Sequence, residues 1–376
     1  MPCALDLTTE HRLPQKSLSR GYLSPADRKN CIVTHSAAQI QKSENFFAPD
    51  PMILYLDQNA WIALARAQKA PDAHPEMYVV LAMLVEAAGG GALSVPLSFT
   101  NIYETNKIND LERRKHLAWV QCTLSQGRVF RGRGPVLRRQ MKAFLAKSYS
   151  LPEPPRVPNW FLSDLHFEAV EDYDPATFNV DLSEKFLAFV REQPAFALFD
   201  YLTELDDQTR RAAVQKYTIG SQGLIARMKE RQALVAGENL DLRRRAYAVR
   251  LIVDHIDLLV RTARELGIAI GSWSDLGEER ILALPGGVPT FDVELALAIR
   301  KEAEGGTVSE NDLRDVAAFY TVLPNADIMV AEKPFINRAR QAKLGQRYQT
   351  TLLTSILELP AHLARLKGIV AGPQAG

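Results

Sequence analysis

The chain has 376 residues, with 45 Lys and Arg against 44 Asp and Glu, so its net charge of +1 selects no class of partner. Its three cysteines, Cys3, Cys31 and Cys122, are scattered and lack C-x-x-C spacing, which excludes a disulfide framework and a zinc knuckle and predicts a reducing, cytoplasmic setting. No apolar run approaches the roughly 18 to 20 residues of a membrane helix, and the chain start lacks a signal-peptide core.

Residues 1–51 are polar and punctuated by Pro14, Pro25, Pro49 and Pro51, the pattern of a weakly ordered extension. They either belong to the native protein or lie upstream of its start, since Met52 begins the ordered pattern. Ile53 to Leu56 form an apolar, β-prone run that ends on Asp57, and Trp61, Ile62, Leu64 and Ala65 then follow at helical spacing. A strand feeding a helix in this way predicts a parallel α/β sheet. Ligands gather at the carboxyl edge of such sheets, which makes Asp57 a site candidate; the plainer role for Asp57 or Asn59 is to cap the helix.

A helix is predicted from Pro75 to Ala88, stopped by Gly89-Gly90-Gly91, followed by a strand over Ala92–Pro96 and a helix from Leu97 that carries Glu104. A β-α-β arrangement would bring Glu104 to the edge that holds Asp57, although an ordinary exposed glutamate fits the spacing too. From Arg113 through Pro152 there is no acid. Arg128, Arg131, Arg133, Arg138, Arg139 and Lys142 therefore predict a positive surface able to neutralise phosphates, with Phe130 and Phe144 either stacking on bases or filling core.

Leu151–Pro158 is a proline-dense joint, and the strand signals then vanish for over a hundred residues. One long helix is predicted over Leu240–Leu266, with Leu242, Ala246, Val249, Val253, Ile256, Val260 and Ala263 on its buried face and Asp254, His255 and Asp257 on a solvated flank. After Pro285–Pro289 the α/β character returns. A helix over Phe291–Ala303 is followed by one from Ser309 to Pro324 with Asp312 and Asp315 near its start, then by a strand over Ala326–Ala331 ending at Glu332. A basic helix over Lys333–Gln346, with Lys333, Arg338, Arg340, Lys343 and Arg347, a strand at Thr350–Thr354 and a closing helix at Ile356–Leu366 complete the chain.

Asp57, Glu104, Asp312, Asp315 and Glu332 thus each follow a strand or open a helix beside one. Carboxylates converging at one edge repel each other unless cations lie among them, and hard oxygen donors suit Mg²⁺ or Mn²⁺. Such sites hydrolyse phosphodiesters without a side-chain nucleophile. Neither G-x-G-x-x-G nor G-x-x-x-x-G-K-[ST] occurs, which weakens a nucleotide-handling alternative.

In order and spacing, LYLDQNAWIAL (Asp57, Asn59), LSFTNIYETNKI (Glu104) and NDLRDVAAFYTVLPNADIMVAEKPF (Asp312 or Asp315, then Glu332) resemble the motifs of PIN-domain metallonucleases. The resemblance implies an α/β, PIN-like three-layer fold with a short, mostly parallel sheet. It covers about 52–148 and 286–367, leaving an all-α insertion at 149–285 and a tail at 368–376. It further implies a divalent cation held by Asp57, Glu104, Asp312 and Asp315, with Glu332 acting directly or through water, and an endoribonuclease acting on single-stranded or loop RNA as a toxin or RNA-processing enzyme. The Arg128–Lys147 stretch, with Lys333, Arg338, Arg340, Lys343 and Arg347, would grip the RNA backbone. The chain departs from the family where Ala331-Glu332 replaces the usual Thr-Asp, which leaves Asp327 as a competing fourth acid and an RNA-binding or scaffolding protein without catalysis as the alternative. The insertion would select the RNA or dock an inhibitory protein.

Overall fold

The computed structural model describes residues 50–155, 157–170, 183–234, 237–270, 272–303 and 318–370. Asp312 and Asp315 lie outside the described residues, as do the 1–49 part of the expected extension and residues 371–376 of the expected tail.

In chain order the elements are β1 (Met52–Leu56), α1 (Gln58–Lys69), α2 (Pro75–Gly89), β2 (Leu93–Ser94), α3 (Phe99–Asn106), α4 (Leu111–Ser125), β3 (Val129–Phe130), α5 (Arg133–Ser148) and β4 (Leu162–Ser163). The helices α6 (Glu184–Glu192), α7 (Pro194–Thr203), α8 (Asp207–Leu234), α9 (Leu240–Asp254), α10 (Ile256–Glu265), α11 (Glu278–Gly287) and α12 (Pro289–Ala303) follow. Residues 318–322 are helical, and β5 (Ile328–Val330), α13 (Lys333–Gln341), α14 (Leu344–Tyr348), β6 (Thr351–Leu353) and α15 (Leu359–Val370) end the described chain.

The fold is mixed α/β around a four-stranded, all-parallel sheet in the order β2-β1-β5-β6. β1 reads as an unbroken apolar run because both faces of the sheet are covered. Leu54 and Leu56 meet Trp61, Leu64, Val80, Leu84 and Leu117 on one face, and Ile53 and Tyr55 meet Val293, Phe319, Val322 and Phe335 on the other. A second, two-stranded antiparallel sheet joins β3 to β4. Those strands have two residues each, too few for alternation to reveal them in sequence.

A third core cluster packs Leu137, Met141 and Leu145 of α5 against Tyr247, Leu251, Leu259 and Leu284 of the helical stretch and Phe291 and Leu295 of α12. Because α12 also places Val293 and Leu297 against the sheet, its two faces join the helical stretch to the α/β part, and residues 51–376 make one compact unit. Gly287 enables close packing here: a Cβ at this position would lie 2.5 Å from the Phe144 ring. Phe130, 2% exposed, and Phe144 are core residues. No single helix among the described residues is long and apolar enough to cross a membrane.

Four sequence expectations are corrected. The stretch 149–285, expected to be all-α, contains strand β4, which pairs with β3. The helix expected over Leu240–Leu266 breaks at His255, whose backbone leaves helical geometry (φ −120, ψ 18). Its imidazole turns inward, with Nδ1 at 2.9 Å from the Leu251 carbonyl and Nε2 against Arg133, instead of joining a solvated flank. Ala263 of the expected face and Ile252 and Leu259 of a second line expected beside it are buried, together with Tyr247 and Leu251, while Leu242, Val249 and Val253 of the expected face are exposed. The basic helix expected over Lys333–Gln346 is two helices, because Lys343 adopts φ 56 between α13 and α14. The next turn sits hard on the sheet: a Cβ on Gly345 would approach the Thr350 carbonyl to 2.9 Å. The strand expected over Ala92–Pro96 pairs only at Leu93 and Ser94.

Candidate metal centre

The register pairs Leu56 with Val330, so Asp57 and Glu332 leave adjacent central strands at the same carboxyl edge. The Asp57 amide continues the ladder to the Val330 carbonyl at 3.0 Å. Its carboxylate caps α1, accepting the Ala60 amide at 2.8 Å. It thus fills the plainer role considered from sequence, yet that role does not exhaust it. Burial pushes the Asp57 carboxyl up from its ordinary 3.8 to about 6, against the pull of backbone amides, with the nearby Glu332 charge raising it further.

Asn59 explains how Glu332 is held: its side-chain amide donates to Glu332 Oε1 at 2.6 Å. The Asp-x-Asn spacing across the start of α1 therefore serves both acids, one as the residue itself and the other through the amide two positions on.

Beneath this edge lies a buried amide and hydroxyl network that sequence reasoning missed. Asn101 and Ser98 form a capping box at the start of α3, and Asn101 Nδ2 also reaches the Leu56 carbonyl at 3.3 Å. Gln58 Nε2 donates to Thr105 Oγ1 at 3.1 Å, and Thr105 donates in turn to Gln121 Oε1 at 2.9 Å. Asn101, Thr105 and Gln121 are each 0% exposed. A satisfied network of this kind fixes geometry, because any one missing partner leaves the others buried without a bond. Its only sequence signal was an unusual density of polar residues on a helix that buries nearly all its side chains.

The other expected ligands are placed as follows. Glu104 lies on α3, half-buried, with its carboxylate 3.6 Å from Lys107 Nζ. Among the described residues no three Asp, Glu, His or Cys side chains are grouped to hold a metal ion. Asp327 is removed as a competitor: it precedes β5 at the opposite edge, where its carboxylate accepts the Ile53 amide of β1 at 2.7 Å.

The acid-free stretch is not acid-free in space, which corrects the expectation of a continuous positive surface. Arg128 pairs with Asp164 at 3.5 Å, Arg131 with Glu168, Arg133 with Glu294 and Arg138 with Glu265. These acids arrive from the segment after β4 (Asp164, Glu168), from α12 (Glu294) and from α10 (Glu265), so local composition could not reveal them. Arg139 donates to the Pro155 carbonyl at 2.9 Å and lies over the Trp160 ring at 4.9 Å, and Lys142 is half-buried. Within the second basic cluster, Lys333 is exposed at the start of α13. Arg338 is 5% exposed and lies over the Phe335 ring at 5.0 Å, and Arg347 pairs with Asp292. Arg340 donates to the Leu352 carbonyl at 2.6 Å.

Comparison with known proteins returns no family model, no curated protein and no solved structure that matches this chain.

Proposed function

We propose that this protein is a metal-dependent endoribonuclease of PIN-like architecture that hydrolyses RNA at the carboxyl edge of its parallel sheet. The observation that carries the reading is the register that sets Asp57 and Glu332 at the carboxyl ends of adjacent parallel strands, where the Glu332 charge adds to burial in raising the Asp57 carboxyl to about 6. Like charges brought together at a sheet edge are costly to maintain, and a hard divalent ion relieves that cost.

The donor set suits Mg²⁺ or Mn²⁺, being two carboxylates with the amide oxygen of Asn59 beside them. Asp57 and Glu332 would hold the ion, and the PIN resemblance adds Glu104, Asp312 and Asp315. When bound, such an ion supplies a water nucleophile at neutral pH and offsets charge on the leaving oxygen of the RNA backbone. The chain's own contribution is position. The α1 cap fixes Asp57, Asn59 orients Glu332, the Gln58-Thr105-Gln121 chain ties α3 to α1 and α4, and Asn101 ties α3 to the end of β1.

The test is cleavage of a labelled single-stranded RNA by the full chain in Mn²⁺ and in EDTA, with Asp57→Asn in parallel. Mn²⁺-dependent cleavage that disappears in the variant is expected; cleavage by Asp57→Asn at the wild-type rate removes the proposal. The Glu104–Lys107 ion pair favours a second reading, in which a PIN-like fold binds RNA or serves as a scaffold without cutting. That reading predicts RNA binding with neither cleavage nor a Mn²⁺-dependent rise in melting temperature, since an ion that binds only the folded state must stabilise it.

A further inference from the structure

At the opposite edge of the sheet, beside the amino end of β6, lies a surface cavity of about 250 Å³ lined by Arg340, Lys343, Gly345, Gln346, Thr350 and Leu352. With about 30 Å³ for each water, it holds roughly eight waters, enough for a phosphate group and its attached sugar or hydration. We propose that this cavity is a phosphate-binding site, with Arg340 and Lys343 as the anion-binding residues and Gln346 as a further donor. It stands whether or not the carboxylate edge cleaves RNA.

Charge and hydrogen-bond supply both point this way. Among the described residues no acid lines the cavity, and none occurs in the sequence between Glu332 and Glu358. The nearest acid along the ladder is Asp327, next to β6 through the Thr351 amide, but its carboxylate is turned to Ile53 on the β1 side. Arg347 answers Asp292, and Arg300 serves the Gln341 carbonyl at the end of α13 at 3.1 Å. Arg340 and Lys343 are left with other work: one Arg340 donor goes to the Leu352 carbonyl, which anchors the guanidinium at the cavity wall, and a guanidinium carries five N–H donors. The left-handed turn at Lys343 projects α14 over the β6 edge, and Gly345 permits its close seating. An anchored guanidinium and an exposed ammonium lining one cavity are the donor pair that phosphate oxygens accept.

The site is separated from the carboxylate edge by the length of β5, roughly 13 Å for the four steps from Ile328 to Glu332. An RNA strand that reached both would wrap around the β6 side of the sheet. The phosphate has two sources, an RNA backbone or a free phosphate or mononucleotide, and two probes separate them.

The experiment uses the full chain in EDTA, so that no cleavage intervenes, with inorganic phosphate followed by ³¹P NMR and a fluorescent single-stranded RNA followed by anisotropy. The variants are Lys343→Glu and Arg340→Gln, with Lys69→Glu, exposed at the end of α1, as a control for a change of net charge alone. Weakening of both probes by about tenfold or more at Lys343 and Arg340, but not at Lys69, supports the site with RNA as its source; the slope of log affinity for RNA against log salt should fall by about one. Weakening of phosphate alone supports the site with a free phosphate as its source. Unchanged phosphate binding in both variants, or an equal loss at Lys69, overturns it. Because Asp57→Asn should leave phosphate binding intact, failure of this proposal and failure of the nuclease reading are separable.

Discussion

Asp57 and Asp327 stand at opposite edges of the same sheet, on neighbouring strands, and each accepts a backbone amide, yet only one has the marks of a functional group. Asp327 precedes β5 and closes a two-way link with Ile53, its amide donating to the Ile53 carbonyl at 2.9 Å while its carboxylate accepts the Ile53 amide. That carboxylate is a structural acceptor that extends the ladder by one bond. Asp57 also satisfies an amide, but it is half-buried and has the Glu332 charge for a neighbour. An amide on its own pulls a carboxyl down, and here it is outweighed by desolvation and like charge. The distinction between a structural and a chemical carboxylate therefore lies in what else shares the edge.

The largest effect should come from testing that distinction directly. Asp57→Asn is expected to lower Mn²⁺-dependent RNA cleavage by at least about a hundredfold under single-turnover conditions, beyond the loss that outer-shell partners typically produce, whereas Asp327→Asn should leave the rate unchanged. Asparagine caps a helix as well as aspartate, so the same Asp57 variant should melt at or above the wild-type temperature at pH 7 in EDTA. Equal losses of activity at the two positions would erase the contrast.

Next comes the network beneath the carboxyl edge. Gln121→Ala leaves Thr105 and Gln58 short of partners in a buried place and should cost about 1–3 kcal/mol in urea unfolding. If α3 is tied to α1 and α4 in this way, RNA cleavage should drop by more than the unfolded fraction explains.

The pH dependence is smaller and its sign is fixed. A carboxyl raised from 3.8 to about 6 binds its proton more tightly in the folded state than in the unfolded. Its contribution to stability is therefore fully present below about pH 3.8 and lost as pH rises through about 6. Allowing for solvent screening at this half-buried position, the loss should be about 1–2 kcal/mol between pH 4 and 7. It should be absent in Asp57→Asn, measured as the difference between the two proteins' urea midpoints across that range. Addition of Mn²⁺ at pH 7 should recover stability in the wild type alone. The smallest effect is at the amino edge, where Asp327→Ala should cost about 1 kcal/mol in urea unfolding at pH 7 by removing one acceptor from the Ile53 amide.

The sheet and its two central acids were legible in the chain because a strand buried on both faces must be apolar throughout. The residue that ends each run, Asp57 or Glu332, then stands at the carboxyl edge of a parallel sheet. Helix starts at Ser98 and Asp57 were legible for the same local reason, the need of unsatisfied amides for a side-chain acceptor. The break at His255 was not. The apolar spacing of Leu240–Leu266 is consistent with one long helix, and the turn forms because His255 finds the Leu251 carbonyl and Arg133, a partner more than a hundred positions earlier.

Charge shows the boundary between sequence and structure most clearly. The sequence determined where cations are dense along the chain, and it determined which residue types end the strands. It could not determine which cations remain available, because Asp164, Glu168, Glu265, Glu294 and Asp292 reach their arginines only through packing between distant elements. Tertiary structure likewise decided that Asp327 faces β1, that Asn59 binds Glu332, and that Arg340 and Lys343 border an acid-free cavity. The physical reason is range: backbone propensity and burial periodicity act over a few residues, whereas electrostatic pairing depends only on distance in space.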